Sequence, residues 1–249
     1  MARANRLRID GGIFHVTHRC HDRQYLLKFA RDRNAYRAKL LEYVDQFDLS
    51  ILDYCLTSNH VHLLLDTPER NELSGFMRKV AGEIGRAYNR RKGRSDAYWG
   101  DHYHATLVEE GQYLWRCLCY IELNMVRCGV VNHPREWNWV GYHEIMGLRQ
   151  RNRVIDLEQL CWRLGTTNLQ EVRKNLEASL AARIARGQTK REACWTECLA
   201  VGNISFLEGL RPESFSRLKT EIVEPVEKVW ALRESVGAYG QQTAPKNSV

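Results

Sequence analysis

The stretch 49–66, LSILDYCLTSNHVHLLLD, constrains the fold more than any other part of this 249-residue chain. Two strand-like runs, 49–57 and 60–66, are joined by only Ser58 and Asn59, a link short enough to force an antiparallel hairpin. The second run continues into Leu63, Leu64 and Leu65, apolar on both sides of the pleat, as a strand covered on both faces must be. Successive strand residues point to opposite faces, so His60 and His62 share one face and Val61 takes the other. Two imidazoles at the head of a buried strand are costly unless their nitrogens find partners. They are either satisfied structural groups or half of a ligand set for a metal ion.

The hairpin sits inside a longer order of elements. Residues 13–19 alternate in the manner of a strand, and 31–47 carry the 3.6-residue period of an amphipathic helix through Tyr36, Leu40, Leu41, Val44 and Phe47. A long helix follows over 71–92, with Asn71 or Ser74 as its cap, then a strand over 104–110 and a helix over about 111–127 that ends before Gly129. The order βαββαβα predicts a ferredoxin-like α+β sandwich, an antiparallel sheet with helices on one face. This domain occupies 1–150, with the aromatic-rich 133–147 packed on it as an extension and a basic linker at 149–153. Residues 151–235 read as a helical region, and the polar 236–249 as a disordered tail.

The net charge of +7 favours polyanionic partners, nucleic acid first and an acidic membrane surface second. No segment approaches the roughly 20 apolar residues that span a bilayer, and the N-terminus has no apolar signal region, so a cytoplasmic protein is expected. The eight cysteines form no Cys-x-x-Cys pair and are expected to be reduced, small apolar fillers.

A second pair, His102 and His104, has the same spacing ahead of another strand, and periodicity alone leaves both pairs open as ligands. In YLWRCLCYIELNMVRCG, Tyr120 and Asn124 are four apart and share one helical face, whereas Glu122 lies well around the cylinder. From Arg78 to Arg94, seven of seventeen residues are Lys or Arg, with Glu83 the only acid. Arg86, Arg90, Arg91, Lys92 and Arg94 are candidate phosphate contacts, and Tyr98, Trp99, His102 and Tyr103 would add stacking surfaces beside them. Arg3, Arg6 and Arg8 could form a groove-reaching arm.

SNHVHLLL, YNRRKGR and YIELNMVRCGVV, in this order and spacing, resemble the HUH single-tyrosine transposases of small bacterial insertion sequences, in particular the REP-associated tyrosine transposases. The resemblance covers roughly residues 6–147. It implies a divalent metal, Mg or Mn, held by His60, His62 and Asn124, with Tyr120 as nucleophile and single-stranded or hairpin DNA as partner. It also implies that His102 and His104 contact DNA or the core instead. Two positions depart from the family pattern. Met125 stands where proline is common, which would let the helix run straighter, and Glu122 stands where histidine is frequent.

The function so implied is a DNA endonuclease and strand transferase that forms a 5′-phosphotyrosine. Two other readings stand beside it: a non-catalytic nucleic-acid-binding regulator, and a hydrolytic metalloenzyme in which Tyr120 is dispensable. A homodimer is compatible with either class. The C-terminal region lies outside the resemblance.

Overall fold

The computed structural model describes residues 11–210 and 219–235. Arg3, Arg6 and Arg8, and the tail 236–249, lie outside the described residues.

The first four strands, β1 (Gly12–Arg19), β2 (Ser50–Leu56), β3 (His60–Thr67) and β4 (His104–Val108), run in the spatial order β2-β3-β1-β4, all antiparallel, which is the ferredoxin-like arrangement. Thr57 N–H donates to the His60 carbonyl at 3.0 Å, closing a two-residue turn at Ser58-Asn59 as the sequence predicts. Strand β3 is buried on both faces, from Val61 to Thr67.

Register assigns the two faces. His62 pairs with Thr17 and Cys55, while Val61 pairs with His18 and Leu56, and paired residues project to the same side. Helices α1 (Ala30–Val44) and α2 (Arg70–Lys92) cover the Val61 side. There Trp99 stacks on His18 with ring centroids 4.1 Å apart and donates its indole N–H to the Ala81 carbonyl of α2 at 2.9 Å. Of the stripe its sequence predicts, helix α1 buries Tyr36 and Leu40, joined by Arg33 and Tyr43, while Leu41 and Val44 are half-buried. Helix α2 begins after Glu69, and neither Asn71 nor Ser74 caps it.

The His62 side is covered as well, which corrects the expectation of helices on one face only. Helix α3 (Gln112–Glu122) and the short α4 (Asn124–Arg127) lie against it, followed by α5 (Tyr142–Ile145), α6 (Leu157–Arg163), α7 (Leu169–Ala185) and α8 (Cys194–Glu197). Helix α3 is enclosed between the sheet and α7, so residues from Tyr113 to Glu122 are buried almost all round, Cys117 and Cys119 among them. All eight cysteines are free, and only Cys128 is exposed.

The region read as wholly helical also carries strands. After α8 come β5 (Ala200–Gly202), α9 (Ile204–Glu208), β6 (Thr220–Val226) and β7 (Val229–Glu234). β5 pairs in parallel with β4, and the sheet continues to seven strands in the order β2-β3-β1-β4-β5-β7-β6. Three residues of β5 are too few to show a period. The β6–β7 hairpin lacks the usual turn signal because Lys228, not glycine or asparagine, takes the left-handed conformation with φ 59°. A bulge between Val223 and Val226, beside Pro225, breaks the alternation further.

The basic stretch 149–153 is tied down. Arg149 donates to the Tyr54 hydroxyl at 3.0 Å, and the Val154 and Ile155 amides donate to the buried Glu144 carboxylate at 2.6 and 3.0 Å. Helix α6 is clamped to β3 by Arg163, which holds Asp66 with Nε and Nη2 at 2.7 and 2.8 Å. Asp66 is 4% exposed. Removing its cation leaves a buried charge, so Arg163→Met should lower the unfolding free energy by about 3 kcal/mol in urea denaturation. A change under about 0.5 kcal/mol, the range of an ordinary surface substitution, would contradict this account.

Candidate active site

A cleft of about 850 Å³ opens at the His60 end of β3, lined by side chains of β1, β3, β4, α3, α4, the loop after β1 and the segment around α8. His60, His62, His104, Tyr120, Asn124 and Arg127 all border it.

Hydrogen-bond direction fixes the protons on both histidines. Asn59 Nδ2 donates to the Arg23 carbonyl at 3.0 Å, so Asn59 Oδ1 is the acceptor that faces His60 Nδ1 at 2.7 Å. His60 therefore carries its proton on Nδ1, and Nε2 is bare. For His62, Nδ1 lies 2.9 Å from His15 Nε2, and His15 Nδ1 lies 2.7 Å from the Trp195 carbonyl. A carbonyl only accepts, so His15 is protonated on Nδ1, and His62 Nδ1–H must be the donor between the two rings. His62 Nε2 is bare in turn, and Asn124 Nδ2 donates to it at 2.8 Å.

Tyr120 and Asn124 are four residues apart but not on one continuous helix. Leu123, with φ −80° and ψ 4°, separates α3 from α4. The straighter helix expected from Met125 in place of proline is not formed, because the break precedes that residue. The turn nevertheless keeps both side chains at the histidines. The Tyr120 ring lies 6.2 Å from that of His62 and 6.0 Å from that of His15, edge to face with each. Arg127, two turns beyond Tyr120, sets its guanidinium 4.1 Å from the centre of the phenol ring and donates to the Tyr120 carbonyl at 3.0 Å.

The donor set fits a hard or borderline divalent cation: two bare imidazole nitrogens beside an asparagine whose Oδ1 is buried with no hydrogen-bond partner among the described residues. The amide turns its N–H to His62, and a half-turn of that amide would bring Oδ1 to the same side. Among the described residues no group of three or more His, Cys, Asp or Glu is arranged to hold a metal, and the polar side chain next to the two histidines is that of Asn124.

Burial and positive charge keep these groups neutral. Burial, then Arg19 and Arg127, lowers the His60 pKa to about 3; burial, then His60, His15 and Arg127, holds His62 well below its usual value. His15, fully buried, falls to about 3 by the same desolvation. Tyr120 is 4% exposed, and its hydroxyl is pushed up by burial, an effect opposed by Arg127 and Arg191.

The second histidine pair is placed differently. His104 Nε2 bonds the Cys198 carbonyl at 3.0 Å, and His102 is exposed on the rim. Of the other predicted DNA contacts, Arg86 pairs with Glu83 at 2.6 Å, Arg91 with Asp32, and Arg94 with Asp96 at 3.6 Å; Arg90 and Lys92 are exposed on α2. None of these five lines the cleft. Tyr98 is buried in the core and Trp99 is half-buried against His18 and Tyr98, so neither presents the open stacking face that the sequence suggests.

Several residues of the site carry no clear signal in the sequence. His15 is one of many alternating strand positions, and Arg19 and Arg191 are ordinary basic residues. Arg127 was missed too, although its seven-residue spacing from Tyr120, two helical turns, is a signal that could have found it. Tyr25, 68% exposed at the rim, supplies the open aromatic surface.

The lowered histidine pKa values make stability depend on pH. Between about 3 and 6.5, His15 and His60 are protonated in the unfolded chain but not in the folded one. Their stabilisation is complete above the upper value and is lost as the pH falls through this window, by up to ~1.4 kcal/mol per pH unit for each imidazole. Denaturant unfolding of the metal-free protein at pH 7 and 5 should show this loss, with a smaller slope in His60→Gln. Equal slopes would refute the assignment.

Residues 9–124 match the family described as transposase IS200 like. A Haemophilus influenzae (strain ATCC 51907 / DSM 11121 / KW20 / Rd) protein named for the REP-associated tyrosine transposases is 25% identical over 146 residues, 53% of this chain and 81% of that relative. A solved structure of a REP-associated tyrosine transposase bound to a REP hairpin superposes with a TM-score of 0.50 at 18% identity, over 61% of this chain and 91% of that one, a likeness of fold. The family match runs through β1 to α3 and ends at Asn124.

Proposed function

We propose that this protein cleaves and rejoins single-stranded or hairpin DNA through a covalent bond to Tyr120, as a transposase. The observation that carries the reading is the meeting of His60, His62, Asn124 and Tyr120, from two distant segments, around one cleft in which both histidines turn a bare Nε2 to the same ligand set.

The chemistry is a transesterification. Tyr120 Oη attacks the phosphorus, the P–O3′ bond breaks, and a 5′-phosphotyrosine and a 3′-hydroxyl result. The phenol proton is lost and the leaving 3′-oxygen gains one, so no net proton or external energy is consumed. One ester bond is exchanged for another, and no nucleotide triphosphate is required.

The buried hydroxyl is a poor nucleophile as it stands, since desolvation raises its pKa. The Arg127 guanidinium over the ring and the nearby Arg191 favour the phenolate. Arg19, Arg127 and Arg191 line the cleft and suit the phosphate charge that grows in the transition state. His60, His62 and Asn124 would hold a divalent Mg or Mn ion, which supplies Lewis-acid polarisation of the scissile phosphate when bound. The α2 cations Arg86, Arg90, Arg91, Lys92 and Arg94 lie beyond the cleft and would engage flanking backbone. Arg94 reaches Gln24 at 3.4 Å, in the loop whose Arg23 and Tyr25 border the cleft, so the two basic regions are continuous.

The test is incubation of the full chain with single-stranded hairpin DNA and Mn²⁺, followed by a search for a DNA adduct that survives SDS. We expect an adduct in the native protein, none in Tyr120→Phe, and no cleavage in His60→Ala, His62→Ala or Asn124→Ala with DNA affinity largely retained. Cleavage without an adduct would point to activated water, and binding without cleavage to a regulator.

A further inference from the structure

We propose that His15 is a positioning residue that locks His62 in the tautomer able to bind a metal, and that the Trp195 carbonyl, far beyond the matched domain, sets the lock. The inference rests on the ligand role given above to His62.

A lone imidazole exchanges its proton between Nδ1 and Nε2, and only the unprotonated nitrogen can ligate. Here the choice is made by a chain of three groups. The Trp195 carbonyl accepts from His15 Nδ1 at 2.7 Å, which leaves His15 Nε2 as an acceptor. That nitrogen receives His62 Nδ1–H at 2.9 Å, with the two ring planes only 11° apart. His62 Nε2 is thereby left bare beside Asn124. His15 is fully buried, so no solvent molecule competes for either of its nitrogens.

The carbonyl that starts the chain is itself held. Thr106 Oγ1 bonds the Trp195 carbonyl at 3.2 Å and the Cys198 carbonyl at 2.8 Å, and His104 Nε2 bonds the latter at 3.0 Å. The Trp195 side chain is completely buried, with its ring 6.2 Å from that of Tyr120. The C-terminal region thus reaches the candidate active site through its backbone, and His104 serves to dock it. Metal-ligating histidines usually give their second N–H to such a partner, and losing the partner costs about 10–100-fold in metal affinity.

Glutamine at position 15 can accept from His62 through Oε1 and donate to Trp195 through Nε2, whereas leucine can do neither. The experiment records long-range ¹H–¹⁵N histidine correlations of the full-length protein without metal, then titrates Mn²⁺ by electron paramagnetic resonance. In the native protein His62 should appear as the Nδ1–H tautomer. His15→Gln should keep that tautomer and nearly native Mn²⁺ affinity. His15→Leu should lose the single tautomer and bind Mn²⁺ about 10–100-fold more weakly while still unfolding cooperatively. An Nε2–H tautomer in the native spectrum would overturn the proposal, as would native Mn²⁺ affinity in His15→Leu. The native spectrum and His15→Gln decide the matter if the leucine variant does not fold. A native protein with the Nδ1–H tautomer and no Mn²⁺ binding would refute the ligand role and leave the lock standing.

Discussion

Burial of β3 on both faces is the constraint on which the rest of the site depends. An imidazole in such a strand cannot turn to water, so each nitrogen must be satisfied by a fixed group or left for a ligand. His62 spends Nδ1 on His15, and His60 spends Nδ1 on Asn59. The cost of burying polar rings is thus converted into a fixed tautomer: both protons are held on Nδ1, and both Nε2 atoms are left bare. The same burial excludes the cationic forms, and Arg19 and Arg127 reinforce that exclusion. A strand with one solvated face would have left both rings free to rotate, titrate and exchange tautomers.

Much of this was legible in the sequence because it is carried by local pattern. The two-residue link before His60 and the apolar run after it are short-range signals that appear in the structure where they were expected, whereas Tyr120 and Asn124 reach the histidines across a break at Leu123 and not along one helix. The parts that were not legible depend on long-range contacts. Nothing in FHVTHR distinguishes His15 from His18, yet one reaches the Trp195 backbone 180 residues away and the other stacks on Trp99. Tyr98 sits in a basic, turn-rich segment that suggests an exposed ring, but its hydroxyl reaches the Leu26 carbonyl at 3.4 Å and the ring fills the space beneath the loop. The β6–β7 hairpin was hidden by a lysine in a left-handed turn and by a bulge.

The charge distribution follows a similar division. The overall positive balance is visible in composition, but its functional concentration is not. The dense run on α2 belongs to the Val61 side of the sheet, and three of its members are partly neutralised by Glu83, Asp32 and Asp96. The cations that border the cleft, Arg19, Arg23, Arg127 and Arg191, come from three separate segments. A polyanion approaching this surface would meet the cleft and the end of α2 as one field, joined by the loop after β1.

One buried group shows how firmly the nucleophile's helix is seated. Glu122, where the resembling family often has histidine, lies on the inner face of α3 against Asp53 of β2, and both carboxyls are almost wholly excluded from solvent. Burial raises both pKa values; Glu144 adds to the rise at Asp53, and Asp53 adds to the rise at Glu122 while Glu122 itself holds Asp53 down. The Tyr54 backbone faces Asp53 and the Tyr142 backbone faces Glu122, and a proton kept on Glu122 and turned to Asp53 would hold the pair together. The fit is close on the outer side as well. A Cβ on Gly141 would stand 1.9 Å from Asp53 Oδ1, so only glycine lets the aromatic extension close over β2 at that point. The acid pair therefore anchors α3 to β2 just before the break at Leu123. The chain after the break is free to turn Asn124 towards His62, while Tyr120 stays fixed on the rigid side.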